Sequence, residues 1–590
     1  MEIRQAKCYL EKYPRPQFVR GEWKSLDGKW NFAFDYQNEG EEKGYFSGFE
    51  PQHEITVPYS FECEASGIGI EKPCDVVWYS RTLEITKEQL KKSCILNFDG
   101  VDYTAKVWLN GRFLGKHSGG YTRFSFDIAN CAKEGDNLLV VKAEDGDEAD
   151  KPRGKQRWMP YNYGCWYVQT TGIWKSVWLE FADRRGRILN AKITPRTDEY
   201  SFDIEFETLL NGSGRYEIET KIEFRGKSIC SARTELDGEV LKQKMFIESR
   251  LIDNQVYFWS PNDPAVYDFT FTLYKDGEIV DKIGSYCGFR DFRAEEGKVL
   301  LNGFPFYQKS VLYQGYFAQS GITPPSEEKI IEDILLMKKA GFNGARLHQI
   351  VETDLFLYYA DILGLTVWCE LPSPHTFNGR ACENVAREWH DVVKQVYNHS
   401  AVVTWVIYNE SWGIREVSYN RTQQLFTESL YYFTKAYDHM RPVIANDGWE
   451  HTLCDVLTIH NYEQNANLFK DLYKNVEELQ RKYQDAPPHL PFAKGYSYGG
   501  QPIIFSEYGG CAFSEDTKNG WGYGNAVSDE ESFFERFGAL MRVIKSLDYC
   551  AGYCYTQFTD VQQEKNGLFT IDRRCKVDIA RLRAANEEDI

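Results

Sequence analysis

Over the first 290 residues, apolar and polar positions alternate in short runs such as KWNFAFDY, VVWYSRTLEI, AKVWLNGRFLG and NLLVVKAED. Asn-Gly and Asp-Gly turns punctuate them, a pattern that predicts antiparallel hairpins with one face buried. The runs up to residue 181 predict a jelly-roll-like β-sandwich. Those from 182 to 290, including SFDIEFETL, RYEIETKIEF and VYDFTFTLYKDG, fit the strand spacing of an immunoglobulin-like sandwich. After Arg290 the pattern changes. Eight apolar strands, at 306–312, 342–349, 365–372, 402–411, 442–449, 455–462, 502–510 and 552–560, alternate with amphipathic helical segments. One of these segments, SEEKIIEDILLMKKAG, carries Ser326 as a predicted N-cap and Gly341 as its C-terminal stop. Eight βα repeats in residues 291–590 predict a (β/α)8 barrel. A doubly wound nucleotide fold has no GxGxxG behind an early strand to support it.

Composition agrees with this division. A chain of 590 residues is too long for one core and corresponds to roughly three to four domains. Aromatic residues make up 15% of it, an excess that suits β cores and also the stacking of rings on sugar faces. The formal net charge of -18 argues against a nucleic-acid or anionic-membrane partner. Met1 to Gln17 lacks an apolar signal core and no run is long enough to span a bilayer, so a cytoplasmic protein is expected. The 15 cysteines have no CxxC pairs, and Cys369 and Cys554 fall inside apolar strands, as reduced core cysteines do.

The candidate chemistry lies at the strand ends. VVTWVIYNESWG ends an apolar strand at Asn409-Glu410, with Trp405 before and Trp412 after, and PIIFSEYGG ends another at Glu507. In a barrel, catalytic groups come from the C-terminal ends of strands, here the fourth and the seventh. Two carboxylates are what acetal cleavage needs: one delivers a proton to the leaving oxygen, and the other faces the anomeric carbon. Their separation decides between retention and inversion, and a sequence does not give it.

These two strings resemble the signature regions of glycoside hydrolase family 2, the family of β-galactosidases, β-glucuronidases and β-mannosidases. Further strings resemble it in order along the chain: VPYSFECEASGIG, VWLNGRFLGKHSGGYTRFSFDI, TTGIWKSVWLE, LNGFPFY and DILLMKKAGFNGARLH. The resemblance implies a sugar-binding-type sandwich, an immunoglobulin-like domain and a (β/α)8 barrel, with retaining hydrolysis of terminal sugars and no organic cofactor. It implies Glu410 as acid/base, Glu507 as nucleophile and Asn409 as the ligand of the sugar 2-hydroxyl. Arg346 matches the residue expected beside the nucleophile, while His348 matches only partly, because the spacing here is Arg-x-His. Tyr462 matches a tyrosine that hydrogen-bonds the nucleophile. His460 has no firm match, and Trp449 and Asp447 are candidates to line the subsite. Gln557, at the end of the last strand, is a further supporting candidate.

The glycone is read from departures. Where glucuronidases carry Asn-x-Lys, QQEKNGLFT places Glu564, Lys565 and Asn566, and a carboxylate at Glu564 is expected to repel a uronic acid. Gln314 replaces the histidine of a His-Glu-Asp string, and Trp166 stands where glucuronidases place a substrate-contacting aspartate. A β-galactoside-like neutral glycoside with an aromatic or extended aglycone is therefore expected first, a β-glucuronide second, and other exo-glycosides, α-L-arabinosides and β-mannosides among them, third. Hydrolysis and transglycosylation use the same residues. No HExxH or paired ligand spacing predicts a metal. The partner is a small-molecule or oligosaccharide glycoside, and a homo-oligomer is compatible with the sequence. A non-catalytic carbohydrate-binding protein is the alternative from another class, and retention of both carboxylates with Asn409 and Tyr462 speaks against it.

Overall fold

The computed structural model describes residues 3–247, 256–477 and 489–588. The first unit is a sandwich of two antiparallel sheets. Six strands (His53–Val57, Gly28–Phe34, Val76–Ile85, Gly135–Glu144, Thr104–Leu109 and Arg112–Ser118) face four (Trp23–Ser25, Val177–Ala182, Ser93–Phe98 and Phe124–Asp127). Inward positions such as Phe32, Val77, Leu96, Val107 and Val141 fill the space between them. The second unit packs a three-stranded sheet against a four-stranded one around Phe202, Ile204, Ile218, Phe269 and Phe271. All fifteen cysteines are free.

The third unit is an eight-stranded parallel barrel. Its strands are β1 (Gln308–Tyr313), β2 (Gly344–Leu347), β3 (Thr366–Glu370), β4 (Val402–Asn409), β5 (Val443–Asp447), β6 (Leu457–Asn461), β7 (Ile503–Gly509) and β8 (Cys550–Thr556). Six lie within the runs predicted from the sequence, while β1 ends one residue after its run and β8 begins two residues before its own. Strand β4 is buried along its whole length. Val403 and Val406 pack inside the barrel with Trp368, Ile444, Val456 and Ile504, while Val402, Trp405 and Ile407 pack on the helical layer. Burial on both faces is why the run is apolar throughout. Trp405 donates its indole N–H to Asp438 on the helical side, so only Trp412 of the two flanking tryptophans turns toward the barrel mouth. A small hairpin sheet, with Phe292, Val299 and Leu301, closes the opposite end.

The helix after β1, Glu327–Lys339, begins where Ser326 accepts a hydrogen bond from the Lys329 N–H. Glutamates in its first turn and lysines in its last complement the helix dipole. The helix stops at Gly341, whose φ of 91° suits a residue without a β-carbon.

The hydrogen-bonded order of the strands runs β5-β4-β3-β2-β1-β8-β7-β6, leaving β5 and β6 without a ladder. Residues 448–456 connect them, too few for the helical crossover that parallel neighbours need. Side chains close this seam instead: the Gly448 N–H donates to Thr458 Oγ1 at 3.0 Å, and His460 Nε2 stands 2.9 Å from Asp447 Oδ2. Thr458→Val removes the acceptor while keeping the shape. We expect it to cost about 1–3 kcal/mol, because a buried N–H is left unpaired. A lowered melting temperature checks this, and an unchanged one contradicts a side-chain-closed seam.

Candidate active site

At the end of β4 the chain leaves the strand through two residues in the left-handed region, Glu410 at φ 52° and Ser411 at φ 56°. Such a conformation is unfavourable for residues with a β-carbon and has to be held by its surroundings. The Glu410 N–H donates to the Asp447 carbonyl at 3.0 Å, the Ser411 N–H to Asn446 Oδ1 at 2.9 Å, and the Trp412 N–H to the Asn409 carbonyl at 2.8 Å. These bonds turn the half-exposed Glu410 carboxylate back over the barrel mouth. There it meets Glu507 from β7 and His460 from β6: one oxygen of each glutamate and a ring nitrogen of the histidine lie within 4.8 Å of one another. A gap of this size suits direct attack by one carboxyl, not a water held between two.

Beneath this pair lies Arg346, at the end of β2 and 0% exposed. Its guanidinium donates to Glu507 Oε1 at 2.7 Å, to Asn409 Oδ1 at 2.7 Å and to Glu370 Oε2 at 2.7 and 3.0 Å, and it is 2.8 Å from Asp447. Burial alone would raise the Glu507 carboxyl; the charges of His460 and Arg346, with a hydrogen bond from the Tyr462 hydroxyl, hold it well below the usual carboxylate range. The Tyr462 ring stacks on Tyr523, and its hydroxyl also reaches Thr556 Oγ1 at 3.2 Å.

His460 occupies the centre of the cluster. Nδ1 is 2.7 Å from Glu410 and 3.5 Å from Glu507, and Nε2 is 2.9 Å from Asp447. Burial opposes its charge, but the Glu507 and Asp447 carboxylates and the hydrogen bonds to Asp447 and Glu410 push it up to about 10. Both ring nitrogens are therefore donors at neutral pH. Among the described residues, Glu410, His460 and Glu507 are also the one trio with metal-ligand proximity. The imidazole is committed to carboxylates on both sides, which fits a hydrogen-bonded set better than a metal centre.

The other predicted residues fall into separate places. Asp447 does not line the mouth. It is buried beneath it, bonded to Arg346, His460 and Ser506, because its strand position points into the barrel. Trp449 stacks on His489 at the rim. His348 is buried, 3.1 Å from Glu370 and 4.0 Å from Glu507. Burial, and then the charges of Lys155 and Arg346, keep its imidazole neutral. Asn409 has its amide oxygen fixed by Arg346 and its buried amide nitrogen unpartnered. Gln314, Gln557, Asn566 and Glu564 form a chain over β1 and β8: Gln314 Nε2 to Gln557 Oε1 at 2.5 Å, Gln557 Nε2 to Asn566 Oδ1 at 2.7 Å, and Asn566 Nδ2 to Glu564 Oε1 at 3.1 Å. Glu564 is thus no bare charge facing the substrate. It is saturated with donors, and Lys155 stands 3.7 Å away.

Lys155 and Trp166 reach the mouth from the first sandwich, on the long connection after the strand Gly135–Glu144. Gly154 makes the approach feasible: its φ is 59°, and a β-carbon there would lie 2.8 Å from the Gln349 carbonyl. Trp166 stacks between Tyr163 and Trp412, with Trp158 and His375 around it, so the sandwich loop supplies one wall of the mouth. Lys155, Glu370 and Tyr523 were not among the residues selected from sequence, and Trp412 figured there only as a neighbour of Glu410. Glu370 carries a local signal, since LTVWCE ends an apolar strand on a carboxylate as the Glu410 strand does.

Three family models cover the chain: the sugar binding domain of glycosyl hydrolases family 2 over residues 23–179, the model described as glycosyl hydrolases family 2 over 186–290, and the TIM barrel domain of that family over 292–587. The chain belongs to glycosyl hydrolases family 2. Among curated relatives, it is 24% identical over 471 residues to a β-galactosidase of Thermoanaerobacter pseudethanolicus, covering 77% of this chain and 62% of that one. It is 25% identical over 453 residues to a β-glucuronidase of Bacteroides fragilis, covering 71% and 60%. Those alignments span about three fifths of the relatives' length. Its fold is similar to the β-glucuronidase of Ruminococcus gnavus solved with N1-substituted uronic isofagomine, with a TM-score of 0.77, 19% identity and coverage of 99% and 100%.

In the nucleophile role proposed below, Glu507 works only when ionised, so activity is lost as pH falls through its depressed titration point. Tyr462→Phe removes one stabilising donor and is expected to move the acidic limb of kcat/KM toward neutrality by about half to one unit, with a loss of about 10- to 100-fold. A pH–rate profile checks it, and an unmoved limb contradicts the role.

Proposed function

We propose that this protein is a retaining exo-β-glycosidase in which Glu507 is the nucleophile and Glu410 the acid/base. The carrying observation is two carboxylates with one oxygen of each within 4.8 Å of the other, one of them held ionised by His460 and a buried arginine. In the first step a Glu507 oxygen attacks the anomeric carbon as the bond to the leaving oxygen breaks. The leaving oxygen takes its proton from the Glu410 carboxyl, leaving Glu410 as a carboxylate against His460 Nδ1. In the second step water attacks the glycosyl ester, Glu410 accepts the water's proton, and Glu507 is released as carboxylate. Asn409, with its amide oxygen on Arg346, is left with an amide N–H to donate to the sugar 2-hydroxyl. Arg346 and Tyr462 stabilise the leaving Glu507 carboxylate, and Trp412 with Trp166 walls the aglycone side beside Glu410.

The glycone we infer is β-galactoside-like and neutral, since the strand-eight loop offers Glu564 and Asn566 where a uronate clamp would need an asparagine and a lysine. One observation favours a β-glucuronide as the second reading: the Lys155 ammonium stands at the same corner. A panel of nitrophenyl glycosides separates the two. Glu410→Gln and Glu507→Gln are each expected to reduce hydrolysis of the best substrate by at least about 10³-fold, as loss of an acid or a nucleophile does. Proton NMR of the first-formed sugar should show the β-anomer. Activity within a few-fold of the parent in either variant, or an α-anomer first, contradicts the mechanism.

A further inference from the structure

Lys155 is 8% exposed, Glu564 is 1% exposed, and they come from different domains. Their hydrogen bonding is unequal. Glu564 Oε2 accepts from the Tyr167 hydroxyl and lies 3.5 Å from Gln314 Nε2, while Oε1 accepts from Asn566, so the carboxylate is spent on the protein. The Lys155 ammonium has three donors, and its contact with Glu564, at 3.7 Å, is an ion pair longer than a hydrogen bond. A largely buried lysine whose ammonium makes no hydrogen bond to the protein has donors free for an acceptor that enters the mouth. Its backbone is fixed: the Lys155 carbonyl accepts from the Tyr167 N–H at 2.8 Å, and the Gly154 N–H donates to the Ser373 carbonyl at 3.1 Å.

The position of the pair identifies what that acceptor is. Glu410, as acid/base, stands on the aglycone side of the bond being cleaved, at the end of β4. Glu507 on β7 lies next, and its partner Tyr462 bonds Thr556 at the end of β8. Gln557 follows Thr556 and leads through Asn566 to Glu564. Lys155 therefore sits beyond the nucleophile, on the side opposite the leaving group, where the glycone extends.

We propose that Lys155 is a specificity-determining residue that donates to glycone hydroxyls, with Glu564 as its positioning counter-ion, so that the site selects a neutral pyranoside over the matching uronide. This rests on the glycosidase reading above. A hydroxyl oxygen uses the spare donors and leaves the ion pair balanced. A uronate carboxylate is drawn to Lys155 but opposed by Glu564 a few ångströms behind it, and it is stripped of water without a net opposite charge to compensate.

The test uses nitrophenyl β-galactoside against β-galacturonide, and β-glucoside against β-glucuronide, pairs that differ only at C6. Glu564→Gln leaves Lys155 unopposed and should raise the uronide-to-neutral ratio of kcat/KM at least about tenfold, a gap of the size one unbalanced charge gives in a water-poor site. Lys155→Met should lower kcat/KM on the neutral sugar about tenfold or more, chiefly through KM, and Lys155→Arg should recover part of it. The Lys155→Met/Glu564→Gln double variant leaves no unpaired charge and serves as the folding control, judged by melting temperature. A ratio unchanged within about twofold in Glu564→Gln, or a parent enzyme that prefers the uronide, overturns the proposal while hydrolysis of either sugar leaves the glycosidase reading standing. A parent inactive on every glycoside overturns that reading instead.

Discussion

The barrel mouth depends on one buried cation. Arg346 carries no exposed surface and collects Glu370 from β3, Asn409 from β4, Asp447 from β5 and Glu507 from β7. Without it these carboxylates would be buried together and would take up protons or separate. Glu507 would then depend on His460 and Tyr462 alone to stay ionised while buried. The arrangement is costly to break, since removing one partner of a buried ionic set typically costs about 3–5 kcal/mol. Its value lies in geometry: one planar fork fixes the Glu507 carboxylate and aims the free amide of Asn409 in the same contact.

The second constraint is covalent reach. The loop after the strand Gly135–Glu144 leaves the sandwich, passes Gln349 at Gly154, and brings Lys155 and Trp166 over the barrel. The strand-eight loop holds it there, as Gln563 Nε2 donates to the Gly164 and Trp166 carbonyls at 3.0 and 2.9 Å. The barrel thus supplies the groups proposed to do the chemistry, while the sandwich supplies a wall and a charge.

Much of this was legible from the chain because it is local. The two-sided burial of β4, the Ser326 cap, the Gly341 stop and the eight strand runs all follow from patterns within a dozen residues. Glu410 and Glu507 were legible because each ends an apolar strand on an ionisable group. What the pattern did not give is what forms between distant segments. Lys155 meets Glu564 across more than four hundred positions, so Glu564 read as an unopposed charge. Asp447 read as a lining residue because sequence gives its place on a strand but not the cations beneath the rim. The missing ladder between β5 and β6 was readable in principle from the short connection, whereas its repair by Thr458 and His460 was not.

The proposed mechanism requires Glu507 to form a covalent bond to the sugar. Incubation with a 2-deoxy-2-fluoro glycoside bearing a good leaving group slows the second step more than the first, so the intermediate should accumulate. Peptide mapping by mass spectrometry is then expected to find one sugar ester, on Glu507 within PIIFSEYGG, that disappears on incubation with an acceptor. A stable ester on Glu370 or Glu410 instead, or turnover of the same sugars with no adduct in any series, would contradict the account.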